Sequence, residues 1–307
     1  MIHIVNTIVP IFAVILLGAL IRSREFMPES FIGPLNKMVY YLAIPAMVFR
    51  ALAVASFQAN FDPLLLSGTL MSVMAVFILA LVVGLVRSIP RSDLGTFLQI
   101  SFHGNLGYIG LAVAYYYLGA EGFARTGILA GFLMLLQNFL SVIGLQIFQE
   151  APESGHRSWF VVKKIIVNPV ILSALAGIVF SVSRLSLPVI IDRSLGIIGG
   201  MALPLALLVI GASLSFKLIK SHIRLALGAG FLKLLILPAG GFIAYHWLGL
   251  LPLQFLPGII LLATPTATVT YVMSREMQGS PELASAAISI NTLLSSLTFI
   301  LWLSLSG

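Results

Sequence analysis

The sequence predicts an all-α integral membrane protein of ten transmembrane helices, built as two inverted five-helix repeats whose fourth and ninth helices are broken and cross. Three observations carry that expectation. The 307 residues are 59% hydrophobic and only 9% charged, with a mean hydropathy of +1.09, whereas a soluble domain carries about 25% charge. Landmark prolines and glycines recur at an almost constant spacing of 159 or 160 residues. Two polar, helix-breaking stretches, Asn105-Leu-Gly-Tyr-Ile-Gly110 and Thr264-Pro265-Thr266, interrupt apolar segments long enough to cross a bilayer.

Taken in order, the apolar runs of the first half cover 4–21, 34–56, 63–86, 95–118 and 123–148, and those of the second cover 161–182, 188–214, 223–247, 253–274 and 282–305. Charged or turn-forming connectors separate them, such as Arg22-Ser-Arg24, Pro90-Arg-Ser-Asp93 and Gln278-Gly-Ser-Pro281. The first run follows Met1-Ile-His-Ile-Val-Asn6, which lacks the Lys or Arg of a signal peptide, so it is expected to stay as a membrane helix. Residues 1–149 form the first repeat, 150–160 a short cytoplasmic linker, and 161–307 the second repeat. No soluble domain is expected. The absence of cysteine excludes disulfides and thiolate metal sites.

The net charge of +7 does not indicate a nucleic-acid partner, because the basic residues sit in short connectors rather than on one phosphate-tracking face. Twelve fall in the odd-numbered connectors: Arg22, Arg24, Lys37, Arg87, Arg91, Arg157, Lys163, Lys164, Lys217, Lys220, Arg224 and Arg275. Four, namely Arg50, Arg125, Arg184 and Arg193, fall on the other side, and Lys233 lies inside a span. The positive-inside rule then predicts a multi-pass inner-membrane protein with both termini outside.

Pro10 and Gly18 match Pro169 and Gly177 at an offset of 159, Pro45 matches Pro204 at the same offset, and Gly119 matches Gly279 at 160. Five spans per half is an odd number, so the second half enters from the opposite face, the signature of inverted repeats.

The candidate site follows from that symmetry. Gly104, Gly107 and Gly110 recur every third residue and weaken span four where His103 and Asn105 concentrate polarity. The alternative is a small-residue face for close helix packing. In span nine, Pro265 removes a helical hydrogen bond and frees carbonyls near 261 and 262. The hydroxyls of Thr264 and Thr266 can serve either those carbonyls or a ligand. The offset aligns Pro265 with Asn105, and half-helix N-termini meeting there would favour an anion. Pro45 bends span two either toward that crossing or as an ordinary kink. Gln137 and Asn138 are costly in lipid, so each lines the site or bonds another helix. Asn291 carries the same ambiguity, and Lys233 either snorkels or acts inside the bundle.

No acidic side chain falls in the middle of a span, and no Walker loop, zinc motif or nucleophile elbow is present. The chain is therefore not expected to be an enzyme, nor to need a cofactor or metal.

The stretch Gly104-Asn105-Leu106-Gly107-Tyr108-Ile109-Gly110-Leu111 is similar to the Asn-x-Gly-Phe-x-Gly-x-Pro segment of the auxin efflux carrier family, whose bacterial branch includes malonate and malate permeases. Ala263-Thr264-Pro265 with Val272, followed by Gly279-Ser-Pro-Glu-Leu-Ala-Ser285, resembles that family's ninth span and its following turn. The resemblance covers the whole chain, with Ala112 standing where the family often has proline. It implies a fold shared with bile-acid and sodium/proton carriers, with spans one, two, six and seven as a scaffold and the rest as a mobile bundle. It further implies a small organic anion bound at the crossing, Asn105 as a carboxylate hydrogen-bond donor and a homodimer, while the coupling ion, proton or sodium if there is one, is left open. A sodium-coupled bile-acid-type symporter and a non-transporting scaffold or sensor are the alternative functions.

Overall fold

The computed structural model describes residues 1–148, 168–215 and 219–306, with side chains undescribed at 219–221. The 150–160 linker, the first residues of the 161–182 run, Arg157, Lys163, Lys164 and Lys217 lie outside the described residues.

The described chain is helical. Its elements are α1 (Ile2–Ser23), α2 (Glu29–Met38), a π turn (Val39–Ala43), α3 (Ile44–Val54), α4 (Phe57–Asn60), α5 (Pro63–Val86), α6 (Arg91–Phe102), a π turn (Leu106–Gly110) and α7 (Leu111–Ile147). They continue with α8 (Pro169–Val182), α9 (Val189–Gly200), α10 (Ala202–Ser213), α11 (Ile219–Phe231), a π turn (Leu232–Ile236), α12 (Leu237–Trp247), α13 (Pro252–Leu262), α14 (Val269–Glu276) and α15 (Pro281–Ser306). Seven helical stretches are long and apolar enough to cross a membrane, and α8 and α13 are shorter apolar helices.

Among the described residues, the merged 95–118 and 123–148 runs and the broken 253–274 run account for two of the three missing from the ten expected segments, and the 161–182 run is short because its first residues lie outside the described ones. The 95–118 run ends its first helix at Phe102; helix resumes at Leu106, breaks at Gly119, and a second helix runs on to Ile147. Within α7 only Gly119 departs from helical geometry, at φ 70° and ψ −166°. That left-handed backbone needs a residue without Cβ. The 253–274 run is divided into α13 and α14, each too short to cross alone.

The contacts divide the chain into two units. The first holds Met1–Asp62, Leu106–Phe132 and the described part of Val167–Leu214. Its helices approach closely through glycines. A Cβ on Gly18 of α1 would collide with the carbonyl oxygen of Leu208 in α10, and one on Gly177 of α8 would lie 3.0 Å from that of Phe49 in α3. Such contacts let van der Waals packing hold apolar helices together where lipid is as apolar as the side chains. Arg50 donates two hydrogen bonds to the Asp192 carboxylate, at 2.7 and 3.1 Å, tying α3 to α9. Pro45 follows the π turn Val39–Ala43, whose wider ring accommodates the amide that proline lacks.

The second unit holds Pro63–Asn105 and the described parts of Leu133–Ile166 and Ser215–Gly307. Here α5 packs on α12 around Tyr245, a fully buried ring whose hydroxyl lies 2.6 Å from Thr69 Oγ1. Gly68 and Gly258 make room for that ring. Thr96 on α6 accepts the Ser280 amide at 2.8 Å, fixing the Gly279–Pro281 turn that leads into α15. Both helix breaks belong to this unit.

Candidate functional site

α6 stops at Phe102 because His103 turns extended, at φ −76° and ψ 102°. α13 stops at Leu262 because Pro265 has no amide hydrogen for the Leu261 carbonyl and its ring crowds that turn. The two unwound stretches then pair antiparallel, with a single backbone bridge between Gly104 and Thr266. The Asn105 amide donates to the Pro265 carbonyl at 2.8 Å, and the Ala267 amide to the His103 carbonyl at 3.0 Å. This pairing turns two interrupted helices into one shared junction.

A buried break must satisfy the backbone groups that the helices release, at about 1–3 kcal/mol for each one left unmade. Side chains from other helices do so. Gln137 on α7 accepts the Gly104 amide and donates to the Phe102 carbonyl, both at 3.1 Å. Thr266 Oγ1 donates to the Ile100 carbonyl at 3.1 Å, so it must accept from Asn291 Nδ2 at 2.7 Å. Thr264 Oγ1 donates to the Leu261 carbonyl at 2.6 Å. Lys233 Nζ donates to the Leu262 carbonyl at 2.8 Å.

His103 is fixed in the same network. Ser141 Oγ spends its one hydrogen on the Gln137 carbonyl at 2.7 Å and lies 2.8 Å from His103 Nδ1. The serine can therefore only accept, so Nδ1 carries the ring hydrogen and, in the neutral imidazole, Nε2 keeps the lone pair.

The structure thus gathers His103, Gly104, Asn105, Gln137, Thr264, Pro265 and Thr266 into one buried polar cluster. Asn138 stands apart from its hydrogen bonds, donating instead to Met134 in its own helix at 2.8 Å. Pro45 and Gly107 lie in the other unit, Gly107 within the Leu106–Gly110 turn. Lys233 does not snorkel. It is fully buried, in the π turn between α11 and α12, and its ammonium points to the break. Ser141 was missed in the sequence, although it sits four residues from Gln137 on one helical face.

This arrangement is a non-helical, polar, buried junction within apolar helices, the kind of feature that binds small solutes in membrane carriers. The match to known proteins agrees. A family model described as Membrane transport protein matches residues 3–303. The chain belongs to that family. It is the auxin efflux carrier family that the Gly104–Leu111 stretch resembles, and its members are transporters rather than enzymes.

Within this membrane transport family, the chain is 26% identical over 321 aligned residues to a "Putative malonate transporter" of Rhizobium meliloti, covering 100% of this chain and 98% of the relative. An uncharacterized transporter of Methanothermobacter thermautotrophicus is 25% identical, with 97% and 96% covered. Another, from Methanocaldococcus jannaschii, is 22% identical, with 97% of each covered.

Proposed function

We propose that this membrane transport protein is a secondary carrier of a small organic carboxylate, of the malonate or malate class, and that the substrate binds at the paired breaks. The observation that carries the reading is the antiparallel junction of Gly104 and Thr266 inside otherwise helical, apolar segments. A carboxylate suits the place. The N-terminus of α14 begins three residues after Thr266 and carries partial positive charge. Asn105 supplies a side-chain amide there, and Lys233 a buried amine that donates to the Leu262 carbonyl. The name of the Rhizobium relative points to the same substrate class.

The proposed architecture is ten spans in two inverted repeats, with both termini outside the inner membrane. Support comes from the glycine contacts. Gly18 opposes Leu208 and Gly177 opposes Phe49. Gly18 and Gly177 are 159 apart in sequence, and so are Phe49 and Leu208. One contact maps onto the other when the halves are exchanged, as a two-fold repeat requires. Elevator-type alternating access of a bundle against a scaffold, with the carrier as a homodimer, completes the proposal. The first unit draws on spans one, two, six and seven, as that division expects, but also on Leu106–Phe132 from spans four and five.

Uptake of labelled malonate, malate and indole-acetate into proteoliposomes tests the reading. Uptake of at least one is expected in the wild type, with loss on Asn105→Ala. Wild-type uptake by Asn105→Ala would remove the substrate from this junction.

A further inference from the structure

Lys233 is a fully buried lysine, and among the described residues no acidic side chain pairs with it. Two ion pairs, Arg22 with Glu29 and Arg50 with Asp192, lie among the described residues, and neither involves it. A lysine ammonium has three hydrogens to donate, and the one bond assigned to Lys233 goes to the carbonyl of Leu262, the last residue of α13. That carbonyl is released because the helix ends there, and the C-terminal end of a helix carries partial negative charge. Unwound carbonyls and half-helix C-termini are where carriers with broken helices coordinate sodium or a proton.

Five other oxygens at the breaks already have donors. Leu261 is held by Thr264, Ile100 by Thr266 and Phe102 by Gln137. His103 and Pro265 are held by the amides of Ala267 and Asn105. A free cation arriving at the Leu262 carbonyl would have to displace the ammonium, and these five oxygens would be shared with the donors they already have.

We infer that the Lys233 ammonium is a covalently tethered substitute for a coupling cation at the junction, so that this carrier binds and moves its anion without sodium. The assignment deepens the carboxylate reading above and rests on it for the word carrier, but the occupancy of the Leu262 position by the ammonium stands on geometry alone. Burying an unpaired charge is costly. A charged ammonium there therefore attracts one anionic group, and the lysine and a carboxylate bury each other's charge.

The test separates the two claims. Melting temperature of the purified, substrate-free protein is measured in N-methylglucamine, sodium and methylammonium chloride, and malonate uptake is measured in the same salts. The wild type is expected to melt at one temperature in all three. Lys233→Ala is expected to be destabilised in N-methylglucamine and to regain stability with sodium or methylammonium, which can enter the vacated space. If Lys233→Ala is aggregated in N-methylglucamine, recovery of a monodisperse protein on adding methylammonium supports the assignment, and failure to recover in either cation overturns it. A wild type stabilised by sodium, or a soluble Lys233→Ala indifferent to both cations, also overturns it. Uptake absent in every salt, with the melting results as expected, removes the carboxylate reading and leaves the tethered cation in place.

Discussion

The amide of Asn105 donates to the carbonyl of Pro265 across 2.8 Å, joining residues 160 apart in sequence. Each residue lies at a point where its own helix has failed. The pairing gives each break a backbone partner that the other supplies, and side chains serve the remaining groups.

Pro265→Ala restores an amide that can donate to the Leu261 carbonyl, allowing α13 to continue past its present end. The variant is expected to melt at or above the wild-type temperature while malonate uptake falls about tenfold, a loss of about 1.4 kcal/mol. Uptake equal to wild type in proteoliposomes would show that the break is not needed for transport.

Gln137→Leu leaves the Gly104 amide and the Phe102 carbonyl without their side-chain partner. Two buried backbone groups unmade cost about 1–3 kcal/mol each, so a clear drop in melting temperature is expected. Gln137→Glu keeps the acceptor for Gly104 and, as a carboxylate, cannot donate to Phe102; it should fall between Leu and wild type. Thermal denaturation of the three proteins decides the order.

The breaks were legible in the sequence because glycine and proline punctuate helices for reasons internal to a few residues. Ala112 left the first break resting on glycines alone, and the structure shows the helix ending at Phe102 regardless, followed by a π turn at Leu106–Gly110. Pro265 announced which carbonyls would be released. What could not be read was who would satisfy them, since Gln137, Asn291 and Lys233 come from helices whose neighbours only the fold decides. Lys233 was ambiguous for a geometric reason: three turns from a helix end, a long side chain can reach either water or the interior. The π turns before Pro45 and Pro238 were invisible, because one extra residue in a helical turn leaves no compositional trace.

Tyr245→Phe isolates a hydrogen bond away from the junction. Thr69 Oγ1 donates to the Leu65 carbonyl at 2.6 Å, so the tyrosine must be the donor in its own 2.6 Å contact with Thr69. Its loss is expected to cost about 0.5–1.5 kcal/mol with uptake unchanged. A melting curve and an uptake rate from one preparation check both halves.

Gly18→Ala and Gly177→Ala both press a methyl group toward a backbone carbonyl, of Leu208 and Phe49 respectively. Overpacking of this kind costs about 1–3 kcal/mol, and backbone can yield less than a side chain. Both variants are expected to melt below wild type, whereas Gly200→Ala, which meets nothing within 4 Å, is expected to melt close to it. Equal melting of all three would remove close helix approach as the reason for glycine at 18 and 177.

Every donor that caps the junction, from Gln137 and Asn291 to Lys233, belongs to the same unit as the stretches it serves. The unwound peptide groups therefore carry their own solvation shell, made of side chains in place of water. In the elevator motion proposed above, a segment so equipped would change depth without baring a single capped peptide group to lipid, because what it would lose by leaving water it brought along.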